Sequence, residues 1–475
     1  MRSIKFIYCS IFLFISSLTS CDKALEADIP RGKFVSDVIF QNDELAEAAM
    51  RGVYSSMTYN TLGTPFLAGF TATFSLWSDE YEKTTYSPNQ KLTFENNLAP
   101  NNAVVSSFWN ALYSYVYQAN MVNDNVASSP KLSNHIKQKL TAESRFIRAL
   151  AFFYLANIYG DVPLVLSSDY SKNAKLSVSS KQEVINQVID DLKYAKENLS
   201  KDTYTAVGNR FRANRWVATA LLSRVYLYEK NWQAAEREAT EIIEQNSLFT
   251  LESLENVFLT SSREAIWALQ NSSTQITTND AVSIQGMPNS NSFFIFSPYT
   301  LQQFNPTDQR KIKWTKTIGN TTAQYKFKTY TNLAGGKSEA PMVFRLAEQY
   351  LIRAEARAMQ AGKMEGAIAD VDAIRIRAGA VGDNLGNHAD VSFKTIAYSM
   401  PDIEQNELVK IIYLERIREL FGEFGHRWFD AARAEEDLHG FFEGRKPNMR
   451  AAKKYFPIPQ IEIERNGNLK QREDY

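Results

Sequence analysis

The chain has 475 residues, of which 44% are hydrophobic, so it holds enough apolar material to bury a sizeable core. Its 53 basic residues balance 53 acidic residues, which leaves no overall charge to attract nucleic acid or an acidic membrane surface. Aromatic residues are abundant, with 23 Tyr, 29 Phe and 7 Trp. Many of these rings must be core, but such a chain can also present stacking surfaces to sugars or peptides.

The first 21 residues form a leader typical of a bacterial lipoprotein. Basic residues precede an apolar stretch, 6–18, that is too short and too rich in serine for a comfortable transmembrane helix. The small residues Thr19 and Ser20 then precede Cys21, which we predict to be acylated and to become the new N-terminus. An ordinary cleaved secretory peptide with a chance cysteine is the alternative.

The lipidated Cys21 would be the membrane attachment of a chain whose sequence has no other hydrophobic span. We interpret the polar segment 22–36 as a tether between this anchor and the folded part. Cys9, the only other cysteine, would be removed with the leader. A mature chain without a thiol excludes cysteine nucleophiles, thiolate metal sites and disulfides.

Hydrophobic periodicity predicts three helices in the first third of the chain. The first covers 43–57 and is capped by Asn42 or Asp43. The second covers 104–126, and the third covers 135–159 and ends before Gly160. The stretch 59–102 lacks a period, and we predict irregular structure there.

Two later segments have the apolar spacing of tetratricopeptide helix pairs, one with its turn at Lys230–Asn231 and one with its turn near Gly362. Generic helical hairpins are the alternative. Because single repeats cannot bury their own apolar faces, we expect them to stack with 140–159 and 404–421.

The predicted fold is therefore mainly α, a tetratricopeptide-like helical scaffold with long irregular loops and a few short strands. Residues 265–270 alternate like one of those strands. We predict one domain over 37–475, made of helical parts at 37–250 and 342–475 and a loop-rich insert at 251–341.

The sequence contains no nucleophile elbow, zincin helix motif, EF-hand loop or paired-cysteine motif. Gly335 to Ser338 imitates the end of a phosphate loop without the required earlier glycine, and we interpret it as a turn. The four histidines show no metal-ligand spacing. We therefore predict a protein that is not an enzyme and needs no cofactor, and we assign no metal-binding residues.

Acids and arginines alternate with large apolar residues in 415–423 and again in 427–433. This pattern predicts partly buried, bidentate pairs between arginine and carboxylate that tie helices together. We favour a structural role for them over a catalytic one.

That C-terminal region resembles the SusD/RagB family of outer-membrane lipoproteins of Bacteroidetes. Further blocks similar to the family stand in the same order, at 143–149, 159–164, 220–228, 354–356, 374–379 and 456–459. The ending at 471–475 departs from the usual family pattern. The resemblance implies a lipid-anchored nutrient-binding protein at the cell exterior, acting as a lid on a SusC-type TonB-dependent transporter. Such proteins bind oligosaccharides, and some relatives bind peptides, without turning them over.

Two loops combine aromatic rings for stacking on sugars with polar partners for their hydroxyls. Our leading hypothesis is an oligosaccharide receptor; an oligopeptide receptor is the alternative, and a surface hydrolase is the distant third. We assign Trp109, Trp216, Trp267 and Trp428 to the core, because they lie on apolar periodic segments. The candidate ligand-binding residues are Trp77, Asp79, Tyr81 and Tyr86 in the first loop and Asn291, Phe294, Tyr299, Trp314 and Tyr325 in the second.

Overall fold

The computed structural model describes residues 36–58, 65–201, 210–270, 278–285, 293–328, 338–434, 438–446, 448–450, 454–473 and 475. The leader, Cys21 and nearly all of the predicted tether lie outside these residues. Across the described ranges, no helix is both long and apolar enough to cross a membrane.

Helices dominate the described part of the chain. In the first half they are α1 (Ser36–Ile39), α2 (Asp43–Thr58), α3 (Phe70–Trp77), α4 (Pro88–Phe94), α5 (Ala103–Ser128), α6 (Asn134–Tyr159), α7 (Tyr170–Asn173), α8 (Lys181–Asn198), α9 (Arg215–Tyr228) and α10 (Trp232–Ile243). The second half contains α11 (Asn279–Ser283), α12 (Pro298–Gln302), α13 (Gln309–Lys313), α14 (Leu346–Ala358), α15 (Met364–Arg377), α16 (Ile396–Ser399), α17 (Gln405–Leu420), α18 (His426–Ala434), α19 (Leu438–Phe441) and α20 (Gln460–Arg465). A π-helical turn covers Pro65–Gly69 and a 3-10 turn covers Gly386–His388.

Within the described ranges, the strands form three two-stranded antiparallel sheets. The first pairs β1 (Tyr81–Lys83) with β3 (Phe294–Phe296), and the second pairs β2 (Ala265–Ala268) with β6 (Met342–Arg345). The third is a hairpin of β4 (Thr315–Ile318) and β5 (Thr321–Gln324). The strand predicted over 265–270 is thus confirmed, slightly shortened.

The predicted helical scaffold is confirmed. Helices α5, α6, α8, α9, α10, α14 and α15 pack in that order, each on the next, and α17 packs on α14. The two tetratricopeptide-like pairs are α9–α10 and α14–α15, and their turns contain Lys230 at φ +54° and Gly362 at φ +75°. The left-handed conformation lets the chain reverse so that the second helix packs on the first.

The helix starts follow from local capping. The side chain of Asn42 accepts hydrogen bonds from the backbone N–H groups of Glu44 and Leu45, as predicted for α2. Ser133 caps α6, which ends at Gly160 with φ +80°. Both helices therefore begin and end within two residues of the predicted positions.

The prediction of irregular structure over 59–102 is wrong in its described part. This stretch contains α3, β1 and α4, while residues 59–64 lie outside the described residues. Helix α3 is buried on most sides, so its sequence carries apolar residues all round and shows no amphipathic period. Helix α4 begins with a capping box between Ser87 and Gln90 and with Pro88 in its first turn.

Among the described residues, the two largest buried hydrophobic clusters are a large core within the helical scaffold and a smaller one beneath the loop-rich part. Trp109, Trp216, Trp267 and Trp428 are all buried in the large core, as predicted. The smaller core contains the rings of Tyr81, Phe294, Phe296, Trp314 and Phe421, among others.

Buried ion pairs tie the C-terminal helices to the loop-rich part, as the sequence pattern predicted. Arg310 lies 2.6 Å from a carboxylate oxygen of Glu415 and 3.0 Å from one of Glu419. Arg345 pairs with Glu419 at 2.6 Å and with Glu423 at 2.7 Å. Burial acts to raise the pKa of Glu415, but Arg310 and neighbouring guanidinium groups outweigh it and lower that pKa to about 2.

Candidate ligand-binding surface

The two loops selected from the sequence come together in the structure. Strand β1 of the first loop pairs with β3 of the second, with Tyr81 opposite Phe296 and Lys83 opposite Phe294. The backbone of Thr84 continues the ladder by donating to Phe293. Residues separated by more than two hundred positions therefore form one ribbon over the smaller core.

Helix α12 is fastened to this ribbon at its first turn. Ser297 caps the helix by accepting from the backbone N–H of Thr300, and Pro298 occupies the first helical position. The Ser297 hydroxyl also donates to the backbone carbonyl of Asp79 at 2.5 Å. This contact places Tyr299, the second residue of α12, beside the end of the first loop.

Asp79 anchors two arginines next to Tyr299. Its carboxylate accepts from Arg427 Nε at 2.6 Å and Nη2 at 2.9 Å, and it lies 2.8 Å from Arg445 Nη1. Burial acts to raise the pKa of Asp79, but Arg427 and Arg445 outweigh it and hold the pKa below its usual value. The carboxylate is therefore ionised at neutral pH and holds both guanidinium groups in place.

Arg445 supports the ring of Tyr299. The guanidinium carbon lies 4.0 Å from the ring centroid, and the arginine side chain is 24% exposed. Tyr299 is also partly exposed. A tyrosine backed by a fixed cation is a platform on which an apolar sugar face can stack, with a guanidinium beside it to donate to hydroxyl oxygens. We call Tyr299, Arg445 and the partly exposed Phe441, which also lies against Arg445, the Tyr299 surface.

Trp77 and Trp314 do not form stacking platforms, and that prediction is wrong. Both side chains are 0% exposed. Trp77 packs edge-on against Trp428, with ring centroids 6.2 Å apart. The indole N–H of Trp314 donates to the carbonyl of Leu254 at 2.8 Å. The absence of a helical period around Trp77 and Trp314 predicts exposed loop residues, but both rings fill cores that neighbouring elements complete.

Three further candidates are also enclosed. Asp79, Tyr81 and Phe294 are each exposed by 3% or less, so the expectation that they contact ligand directly does not hold in this structure. The Tyr81 hydroxyl donates to Gln324 Oε1 at 2.5 Å, beside Gly422. Gly422 has φ +62°, and a Cβ there would lie 1.7 Å from Gln324 Oε1, so only glycine fits this close approach.

The remaining candidates lie at or near the surface. Tyr86 is partly exposed, and its hydroxyl accepts from the backbone N–H of Lys83 at 3.0 Å. Tyr325 is partly exposed, with Lys328 Nζ 3.8 Å from its ring centroid. Asn291 lies outside the described residues. Tyr299, Tyr86 and Tyr325 thus stay predictions as ligand contacts.

Sequence reasoning missed Arg445 and Phe441. Neither lies in a periodic or motif-bearing segment, and Asp79 and Tyr299, the partners of Arg445, belong to distant parts of the chain. Arg427 was recognised only as part of a structural run. The sequence signal for these arginines is Asp79. An acid close to a run of large apolar residues is expected to be buried, and a buried acid needs a cationic partner.

Two buried acids lie under the ribbon. Burial raises the pKa of Glu80 to about 7, although its oxygens accept from Ser75 and from the backbone of Gly422. Burial likewise raises the pKa of Asp280 to about 7, although it accepts from Thr71 at 3.3 Å. Because both acids are hydrogen-bonded within the protein, we assign them a structural role.

The described residues contain no group of three His, Cys, Asp or Glu side chains placed to hold a metal ion. What the Tyr299 surface offers is stacking, hydrogen bonding and a positive charge. These are the contacts of a binding site for a polar ligand with apolar faces.

Comparison with known families agrees with this architecture. Residues 38–227 match a family described as starch-binding and associating with the outer membrane, and residues 303–475 match the SusD family. The chain belongs to the SusD/RagB family. The resemblance noted in the sequence is therefore confirmed.

Several SusD-like relatives align with the chain. SusD-like protein P2 of Formosa agariphila is 26% identical over 97% of this chain and 97% of the relative. SusD-like protein P25 of the same organism is 27% identical over 54% of this chain. The alignments span about half the length of P25, 50%, and of a SusD-like protein of Bacteroides ovatus, 47%.

Solved structures of SusD-like proteins share the fold. A SusD superfamily protein from Parabacteroides distasonis superposes with a TM-score of 0.75 at 20% identity, covering 93% of this chain and 100% of that one. A laminarin-binding SusD-like protein superposes with a TM-score of 0.70 at 21% identity, covering 91% and 100%. The SusD fold thus extends over nearly the whole chain.

Proposed function

We propose that this SusD/RagB family member is a cell-surface lipoprotein that captures oligosaccharides and delivers them to a SusC-type TonB-dependent transporter. It binds its ligand without turning it over. The lipid on Cys21 anchors it to the outer membrane, facing the cell exterior, and the segment 22–36 is the tether between the anchor and the folded part.

The Tyr299 surface is the observation that carries this proposal. A ring that must bind a pyranose needs one face open and its position fixed in advance, because ordering a side chain on binding costs affinity. Arg445 lies 4.0 Å from the ring of Tyr299 and is itself held by Asp79 at 2.8 Å. The ring is therefore preorganised before ligand arrives.

Carbohydrate is favoured over peptide by the relatives as well as by the chemistry of the surface. One matched family is described as starch-binding, and one structural neighbour binds laminarin. A sugar ring has an apolar face that can stack on a tyrosine, and its hydroxyl oxygens can accept hydrogen bonds from a guanidinium beside that tyrosine.

Calorimetry tests the proposal directly. The purified protein is titrated with maltooligosaccharides, with laminarin oligosaccharides, with a wider glycan panel and with a peptide digest. Saturable binding of at least one glycan, with no product formed on prolonged incubation, is the expected result. Binding of peptides alone would reverse the assignment in favour of an oligopeptide receptor, and turnover of any ligand would overturn the receptor function.

Co-purification tests the partner. Detergent extracts of native outer membrane should yield this protein together with a barrel of transporter size. A receptor recovered alone under conditions that preserve other outer-membrane complexes would contradict delivery to a transporter.

A further inference from the structure

A separate cavity lies within the helical scaffold, away from the β1–β3 ribbon. Its volume is about 130 Å³, and it is lined by the end of α6, the start of α8, the end of α9, helix α18 and residues 454–455. The polar residues that line it are Asn157, Lys181, Tyr228, Arg433, Lys454 and Tyr455. None of the described lining residues is acidic, and we call this cavity the basic pocket.

The positive charge of the basic pocket is only partly compensated. Arg433 is neutralised by Glu355 at 2.6 Å and Asp430 at 2.9 Å. Lys181 Nζ instead donates to the neutral Asn157 at 3.0 Å, and burial lowers its pKa despite attraction to more distant acids. Lys454 also lines the pocket and has interactions of its own, so Lys181 is the principal cation of the site. A cation that is partly desolvated beside a neutral amide gains most from an anion placed next to it.

Two further arginines lie near Tyr228, and both are paired with acids: Arg416 with Asp430 at 2.6 Å and Arg224 with Glu348 at 2.6 Å. Arg416 is 2% exposed, and its Nη1 and Nη2 atoms have no hydrogen-bond partner. Burial and the nearby Asp430 carboxylate raise the pKa of the Tyr228 hydroxyl above its usual value, and Arg224, Arg433 and Arg416 oppose that shift without reversing it. The Tyr228 hydroxyl is therefore protonated and available as a donor at the wall of the cavity.

We propose that the basic pocket binds a small oxyanion, of the size of sulfate, phosphate or acetate. One water occupies about 30 Å³ in the liquid, so a cavity of about 130 Å³ has the room of about four waters, enough for an anion of four or five heavy atoms. Lysine ammonium groups, an amide and a phenol supply the donors that oxyanion oxygens require. The bound anion would join segments that are far apart in the sequence, and so would stabilise the scaffold.

Anion titrations test this inference on the full folded chain. Sodium sulfate, phosphate and acetate are each compared with sodium chloride at equal ionic strength, by calorimetry and by thermal unfolding. We expect saturable binding of at least one oxyanion and a rise in melting temperature of roughly 2–3 °C at a hundredfold excess over Kd. Glucuronate forms a further arm. Tighter binding of glucuronate than of acetate would assign the pocket to an acidic group carried on a sugar rather than to a free anion.

Charge-removing variants locate the site. Lys181→Gln and Lys454→Gln should each weaken oxyanion binding by about tenfold or more. The matched control is Lys410→Gln, which removes an exposed lysine of α17 and should leave binding unchanged. The inference would be overturned if the oxyanions raised the melting temperature no more than chloride does. It would also be overturned if both pocket variants bound oxyanions with wild-type affinity. If Lys181→Gln fails to give the wild-type circular dichroism spectrum, Lys454→Gln and Tyr228→Phe decide the question.

Discussion

Arg427 donates two hydrogen bonds to the two carboxylate oxygens of Asp79, at 2.6 and 2.9 Å, across 348 positions of the sequence. This pair joins the C-terminal helix α18 to the end of the first predicted ligand loop. Because Asp79 also holds Arg445, the stability of the fold and the position of Tyr299 depend on the same carboxylate.

Asp79→Ala should destabilise the protein by about 3–5 kcal/mol, because it leaves the buried guanidinium of Arg427 without its partner. Urea unfolding measures this loss. Arg445→Ala is the matched comparison: its side chain is 24% exposed, and we expect a cost of no more than about 1 kcal/mol. If both substitutions lowered the free energy of unfolding equally, the buried pair of Asp79 and Arg427 would contribute no more to stability than the partly exposed Arg445.

Tyr299→Ala should weaken glycan binding by about 1–3 kcal/mol, because it removes the stacking ring and leaves the cores intact. Calorimetry measures the change in Kd, and circular dichroism checks the fold. Tyr117→Ala is the control, since Tyr117 is 54% exposed on α5 and lies outside the Tyr299 surface. A loss of affinity that is the same in both variants would remove Tyr299 from the site.

Trp77→Ala and Trp314→Ala should each destabilise by about 3–5 kcal/mol, as should Trp428→Ala, because all three rings are buried. Thermal unfolding measures the three variants side by side. A variant of Trp77 or Trp314 that keeps wild-type stability but loses ligand binding would restore the original stacking hypothesis.

Glu80 makes stability depend on pH in a direction opposite to that of a salt-bridged acid. Its pKa is raised from 4.5 in the unfolded chain to about 7, so the folded state holds the proton more tightly. This contribution is fully present below the unfolded pKa and is lost as pH rises from about 4.5 to about 7. Glu80→Gln should therefore flatten that part of the stability profile and stabilise the protein at pH 8 by roughly 1–3 kcal/mol.

The measurement is the free energy of unfolding of Glu80→Gln and of wild type at several pH values. Glu82→Gln, which changes a partly exposed neighbour, is the control and should run parallel to wild type. Parallel curves for Glu80→Gln and wild type would contradict the prediction. Other carboxylates shift both curves equally, so the difference between them isolates Glu80.

Cys21→Ala should release the protein in soluble form, because the substitution removes the thiol that carries the lipid. Membrane fractionation of cells lacking the transporter measures the outcome. Cys9→Ala alters only the leader and should leave the protein with the outer membrane. A Cys21→Ala protein that still fractionates with the membrane would contradict the lipobox assignment.

Local sequence determined much of the scaffold. Helices α2, α5 and α6, both tetratricopeptide-like pairs and strand β2 lie where period and capping placed them, because those signals arise between residues close in the chain. The family blocks were recognisable for the same reason. The alternation of acids and arginines in 415–433 also predicted buried ion pairs, although not which residues they join.

Only the tertiary structure decided which aromatic rings are exposed. Trp77, Tyr81 and Trp314 have the composition of a sugar-binding loop, but residues distant in the chain cover them: α18 covers Trp77, β3 and β5 cover Tyr81, and Leu254 and Phe421 cover Trp314. Tyr299 became the strongest candidate because Asp79 and Arg445 meet beside it, a contact between the first and last parts of the sequence. Burial depends on what packs across an element from elsewhere, and local periodicity carries no information about that when an element is enclosed on every side.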